Sequence, residues 1–377
     1  MQQILNKLKI SSVLFGVSCA FLGAQVHAQD AIVTANKTST YFVFGEDLKK
    51  FAAPTLDVLP SNGSADNIKA LSKSAGVTLA IAQSDVYQAY VNLGQNDPDP
   101  AVRQWATDLL SSLRVIMPLY HEEIYFIVRQ DSPLKSILDI EGKRLSIGPV
   151  GSGTNLTAKN IYKKLFGKSP TVVEPYIEPG VTGEDDGTKI RRSALWRLVH
   201  PELGPDSRKV DVFVLVDGQP VELLAKLGKG FRLLTVDPEN EKIKSLLDEY
   251  QVGTVYKKNY GFVENDQPIM TVPSYLITAH FRSATRNEFI RKLATNLCAN
   301  YDKFYNQGHE KWKTLAWSPA NSALPTLATG WTYSDVTSPI LSNCRNPNFQ
   351  PIATSGSASP SAPMTCSMED RAIGLCE

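Results

Sequence analysis

Residues 77–90 read VTLAIAQSDVYQAY. Six strand-forming or small residues come first, then the polar cluster Gln83-Ser84-Asp85, then Val86, Tyr87 and Tyr90 on one helical face. A short apolar run that stops at Ser and Asp, the residue types that cap helix starts, predicts a buried strand turning directly into a helix. Working outward, the same unit stands twice upstream. Residues 31–34 form a strand, Asn36-Lys37-Thr38-Ser39-Thr40 a polar turn, and Phe44, Leu48 and Phe51 a helical face. Residues 56–59 form a second strand, ended at 60–64 (PSNGS) and followed by a helix with Ile68 and Leu71 that stops at Gly76. This strand–helix alternation predicts an α/β protein with a mainly parallel sheet and helices on both faces.

Downstream, the linker 95–100 (QNDPDP) leads to a helix and the long strand-like run 113–129. A strand at 145–147 enters Gly148-Pro149-Val150-Gly151-Ser152-Gly153-Thr154 and a helix through Leu156, Ile161, Leu165 and Phe166. Residues 210–216 are apolar enough for a buried strand, and Asp217-Gly218-Gln219-Pro220 turns it into a helix with Val221, Leu224 and Leu227. Strands at 231–236 and 269–278 and a helix over 284–307 complete the body, with no internal repeat. Four strands therefore end in Ser/Thr/Asn/Gly clusters, at 36–41, 61–64, 83–85 and 151–154. Ligands of open α/β sheets bind beyond the carboxyl ends of the strands, where helix N-termini offer unpaired N–H groups and partial positive charge. Several such starts aimed at one crevice make an anion cup that needs no Arg or Lys.

The chain ends set the compartment. Lys7 and Lys9 precede the uncharged run 10–24, and Val26-His27-Ala28 offers a small-residue cleavage site, so 1–28 reads as a secretory signal peptide. Acylation of Cys19 as a lipoprotein is the alternative. The expected location is the periplasm. Lys plus Arg number 39 against 38 Asp plus Glu, without a basic block, which argues against nucleic acid as a partner. A chain of 377 residues exceeds what one core normally supports and points to two domains. Cleavage after Ala28 leaves Cys298, Cys344, Cys366 and Cys376, an even number suited to disulfides in an oxidising compartment. Four cysteines allow three pairings. The short spacing favours Cys366–Cys376 in the tail beyond the Ser/Pro/Gly-rich stretch 354–363, which leaves Cys298–Cys344. The five His are scattered, without metal-ligand spacing, so neither a metal nor a cofactor is expected.

Enzyme signatures are missing from the same stretches. The 148–154 turn lacks the Walker lysine, no GxSxG elbow is present, and Ser152 has no evident His partner. Glu122-Glu123 and Asp185-Asp186 are adjacent pairs, and on a strand such neighbours point to opposite faces. No catalytic residue is expected.

Residues 76–86 (GVTLAIAQSDV) and 125–154 (YFIVRQDSPLKSILDIEGKRLSIGPVGSGT) resemble the TAXI family of TRAP-associated extracytoplasmic solute receptors. The likeness rests on Gln83-Ser84-Asp85, on Gly142-Lys143-Arg144 and on Gly151-Ser152-Gly153-Thr154, and extends more faintly from about Ile32 to Trp312. It implies a two-lobed type II periplasmic binding protein with two crossing strands, holding glutamate, glutamine or a 2-oxoglutarate-like carboxylate in the cleft. By position, the implied ligand contacts are Ser39, Thr40, Tyr41, Ser64, Asn67, Gln83 and Ser84 from one lobe. The other lobe supplies Gly151, Ser152, Gly153 and Thr154, with Asp217, Gly218 and Gln219. Lobe I is expected over 29–120 and 268–350, lobe II over 121–267, the tail over 351–377, and the hinge in 113–124 and 267–278.

Three departures stand out. The first turn is not glycine-rich, Asp217 brings negative charge toward an anion site, and 174–209 is long enough to reach over the cleft. Arg191 and Arg192 fit a solvated helix face, with a bidentate carboxylate clamp as the alternative. The expected partners are a small carboxylate and separate membrane permease subunits, with the chain itself a monomer. A periplasmic sensor or adaptor for a membrane signalling protein, and an ABC-type receptor for sulfonates or thiamine precursors, are the alternatives.

Overall fold

The computed structural model describes residues 30–183 and 185–349. The signal-peptide reading, Cys19, Cys366 and Cys376 lie outside that range. The strands are β1 (Ala31–Val33), β2 (Asp57–Leu59), β3 (Val77–Gln83), β4 (Leu113–Arg129), β5 (Arg144–Ser146), β6 (Thr171–Val172), β7 (Val212–Asp217), β8 (Phe231–Leu233), β9 (Gln251–Val255) and β10 (Gln267–Ala279). The helices that position the cleft are α1 (Thr40–Phe51), α2 (Ser64–Lys73), α3 (Val86–Asn96), α4 (Pro100–Ser112), α5 (Gly153–Phe166) and α6 (Asp186–Val199).

The strands hydrogen-bond in the order β2-β1-β3-β10-β4-β7-β5-β6, with β8 added to β4 and β9 to β10. Pairing is parallel within each half, as the strand–helix alternation predicts: β1 with β2 and β3, β5 with β6 and β7. Every antiparallel pair involves β4 or β10. At about 3.3 Å per residue, the 17 residues of β4 span roughly 55 Å, enough to traverse both halves.

Side-chain alternation then builds four cores, one on each face of each half. Leu79 and Ile81 of β3 enter one cluster with Phe44, Leu48, Trp312 and Trp317, while Ala80 and Ala82 enter another with Ile68, Tyr90 and Leu109. In the other half, Ile124, Phe126 and Val128 of β4 pack with Val212, Val214 and Val216, and Tyr125 and Ile127 pack with Phe213 and Leu215. Strands β4 and β10 contribute to both pairs of cores, so two lobes share a pair of long crossing strands.

Several local expectations are corrected. The helix foreseen over 284–307 is two, Ala284–Ala299 and Tyr301–Gln307, broken at Asn300. The break re-aims Tyr301 and Phe304 into the Trp312 and Trp317 cluster, a tertiary demand that overrides helical periodicity. The helix after Asp217 is a single turn, Glu222–Ala225. Cys298 and Cys344 are disulfide-bonded across a Cα–Cα distance of 5.8 Å, as expected. Among the described residues no helix is long and apolar enough to cross a membrane.

Candidate functional site

The turns after β1, β2 and β3 meet the turns after β5 and β7 between the lobes. Local chemistry fixes each turn. Ser39 caps α1, its Oγ accepting from Phe42 N at 3.3 Å, and Ser152 caps α5, accepting from Asn155 N at 3.1 Å. Gly151 adopts φ +96°, and a Cβ there would lie 2.5 Å from the Asp66 carboxylate, so the position requires glycine twice over. Gly153 has no such φ. Its requirement is space, because a Cβ would fall 1.8 Å from Gln83 Oε1.

Direct bonds between the lobes fill much of the anticipated anion cup. Ala65 N and Asp66 N, at the start of α2, both donate to Gly151 O at 3.1 Å. At the start of α1, Thr40 N donates to Asp217 Oδ1 at 3.1 Å and Thr40 Oγ1 to Gly218 O at 2.7 Å. Lys37 N donates to Asp185 Oδ2 at 2.8 Å, so the 174–209 segment does reach the first lobe. Thr157 Oγ1 (2.6 Å) and Tyr250 OH (3.0 Å) donate to Asp85 Oδ2. Burial pushes the Asp85 carboxyl up to about 6, against the hydrogen bond from Thr157. The lobes are closed.

Among the described residues, two crevices of about 20 Å³ each lie between them. One is lined by Ser39, Tyr41, Ser64, Gln83, Ser152, Gly153, Thr154 and Asp217 of the expected residues, joined by Asn62, Glu122 and Arg191. The other, sharing Ser152, Thr154 and Arg191, runs back toward Asn36, Ser146 and Gly148. At this size each has room for little more than a water, so ligand entry requires the lobes to part.

Six expected contacts sit elsewhere. Asn67 is consumed inside the first lobe, donating to Thr34 O and to Ile81 O and accepting from Ser61 Oγ. Ser84 N donates to Pro273 O at 2.8 Å, tying the turn to β10. Thr40, Gly151 and Gly218 serve the lobe–lobe bonds just described. Gln219 lies behind the crossing strands, bonded to both oxygens of Glu123 at 2.8 Å. There it lines a separate cavity of about 670 Å³ with His121, Thr271 and Lys311. Thr154 lines both crevices, yet its Oγ1 is committed as acceptor to Val216 N at 3.1 Å.

Two residues left out of the expected contact set, Arg191 and Glu122, bring further charge to the crevice. Arg191 is no solvated-face residue: its side chain is 14 % exposed, and its Nη1 lies 3.2 Å from Asp217 Oδ2. That pairing neutralises the Asp217 charge that had looked out of place. Glu122 and Glu123 do face opposite ways. Glu123 pairs with Lys311 Nζ at 2.6 Å behind the strands, while Glu122 faces the cleft and accepts from Tyr41 OH at 2.6 Å. Burial first, and the Asp217 charge next, hold the Glu122 carboxyl well above the usual carboxylate range. The available signal was two adjacent carboxylates inside the mostly apolar run 113–129.

Two lobes, two crossing strands and a polar cleft at the carboxyl ends of both parallel sheets define the type II periplasmic binding fold. Residues 32–180 match the NMT1-like family. Among solved structures, one described as a periplasmic transporter is 12 % identical, covering 82 % of this chain and 91 % of that one at a TM-score of 0.44. The substrate binding protein of an amino acid ABC transporter is 13 % identical, covering 74 % and 99 % at 0.38. The periplasmic aliphatic sulphonate binding protein SsuA from Escherichia coli is also 13 % identical, covering 76 % of each chain at 0.39.

Proposed function

We propose that this chain is an extracytoplasmic solute-binding protein. It captures a small carboxylate of the glutamate, 2-oxoglutarate or dicarboxylate kind between its lobes, and passes it to a TRAP-type permease formed by separate membrane subunits. The observation that carries the reading is the cleft. Hydroxyls of Ser39, Tyr41, Ser64 and Ser152 converge there with the Arg191 guanidinium, between lobes joined by crossing strands. Such groups orient a small anion and offer no nucleophile–base pair, so capture and release is the activity they support. Closure couples binding to shape, because a ligand shifts the lobes only by its extra contacts in the closed form. The TRAP assignment draws on the 125–154 resemblance. A thermal-shift screen over dicarboxylates, oxoacids and amino acids tests the reading, since ligand at 100 times its Kd adds about 2.7 kcal/mol to stability. A melting temperature unmoved across that whole panel would rule out the carboxylate assignment.

A further inference from the structure

Among the described residues no cation pairs with Glu122. It stands in the middle of β4 at 2 % exposure, and its Oε2 accepts from Tyr41 OH, while Oε1 accepts no hydrogen bond among the described residues. The ionisable groups that act on it most strongly are Asp217 at the end of β7, Tyr41 from α1, Asp85 after β3 and the neighbouring Glu123, with Tyr120 two residues earlier on the same face of β4. None is basic. Lys311 is taken by Glu123 on the opposite face, and Arg191 reaches Asp217. Tyr120 OH, close by on the same strand, is buried without a partner among the described residues. The cleft thus sets a guanidinium on one wall and, on another, a buried carboxyl with an unused oxygen. Buried carboxylates are ordinarily paired, and an unpaired one takes up a proton instead.

We infer that Glu122 is the counter-charge for a protonated amine, with Arg191 receiving the carboxylate, so that the ligand is an amino carboxylate rather than a plain dicarboxylate or oxoacid. This rests on the carboxylate-binding reading and narrows it. An arriving ammonium gives Glu122 the cation it lacks. The carboxyl then loses its proton to solvent, and a carboxylate–ammonium pair forms, donating to Oε1. Binding is accompanied by net proton release, and affinity rises with pH until Glu122 is ionised in the free protein. A ligand without an amine leaves the Glu122 proton in place.

The test is calorimetric titration of the purified chain with matched pairs that differ only by the amine: glutamate and glutarate, alanine and propionate, aspartate and succinate. Each is run in phosphate and in Tris, so that the buffer dependence of the heat counts protons. The expected result is an amino member binding about 10- to 150-fold tighter than its match, the range for a hydrogen bond to a charged group, with proton release in the wild type. Glu122→Gln retains an acceptor for Tyr41 and should collapse that ratio to near unity. Equal or tighter binding of the deaminated acids, absent proton release, or an unchanged ratio in folded Glu122→Gln overturns the inference and leaves carboxylate binding standing. Failure of every compound to bind overturns both.

Discussion

Adding one carbon at Gly153 should hold the lobes apart. In Gly153→Ala the new Cβ falls 1.8 Å from Gln83 Oε1, 2.5 Å from Gln83 Cδ and 2.9 Å from Ser64 Oγ. Ordinary contacts begin near 3.4 Å, so Gln83 must retreat by more than 1 Å or the lobes must open. Gln83 is 2 % exposed, so its amide is enclosed on the cleft side and opening of the lobes competes with its displacement. Overpacking of this kind costs about 1–3 kcal/mol. Because the clash exists only in the closed form, that penalty falls on closure and weakens ligand binding by about 5- to 150-fold. Local stability moves the other way, since Gly153 is the first residue of α5 at an ordinary φ and Ala is the better helix former there by up to about 1 kcal/mol. The signature is therefore lost affinity without a lowered Tm. Calorimetry, melting and small-angle scattering on the same variant read all three quantities. Gln83→Ala in the same background should restore closure, and the double-mutant cycle isolates the clash. A folded Gly153→Ala that binds and closes like wild type would refute the reasoning.

Four further outcomes are expected. Asp85 is raised to about 6 by burial in the closed form, above its unfolded value, so its contribution to stability and closure is present at low pH and is lost as pH rises between about 4 and 6. Two pKa units bound the effect at about 3 kcal/mol, and because Glu122 and Asp47 slope the same way, the readout is the difference between wild-type and Asp85→Asn pH–stability curves. Replacing Cys298 and Cys344 by Ser opens a 46-residue link and should cost about 4 kcal/mol in chemical denaturation, with no change in cleft affinity. Lys311→Met strands the buried Glu123 carboxylate and should destabilise by about 3–5 kcal/mol, part of which Lys311→Met combined with Glu123→Gln should recover. Thr154→Val leaves the buried Val216 N–H without its acceptor and should lower stability by about 1–3 kcal/mol; an unchanged Tm with weakened binding would instead make Thr154 a ligand contact.

Much of the fold was written locally. Three strand–cap–helix units in residues 31–96 obliged parallel pairing, because each strand passes through a helix before the next begins. The unbroken run 113–129 announced a strand long enough to pass through two lobes. The cysteine count and spacing favoured the Cys298–Cys344 link that the structure contains. Ser39, Ser152 and Gly151 were legible for the same reason: caps and special turns are short-range properties of the chain.

What only the tertiary structure decided is the traffic across the cleft. Ser39, Ser64, Ser152 and Thr154 face the crevices, yet nothing in their neighbourhoods distinguished them from Asn67, whose side chain is spent within its own lobe. The helix starts that sequence reasoning offered to a ligand are taken by Asp217 and Gly151, which lie 177 and more than 80 residues away along the chain. Arg191 looked like a solvated helix residue because its partner arrives on a different strand. The Glu122-Glu123 pair showed its opposite faces from alternation alone, but Lys311 chose Glu123 and not Glu122, through a contact 188 residues apart. Charge compensation in a cleft is a long-range property, fixed by which distant side chains the crossing strands bring within about 3 Å of one another.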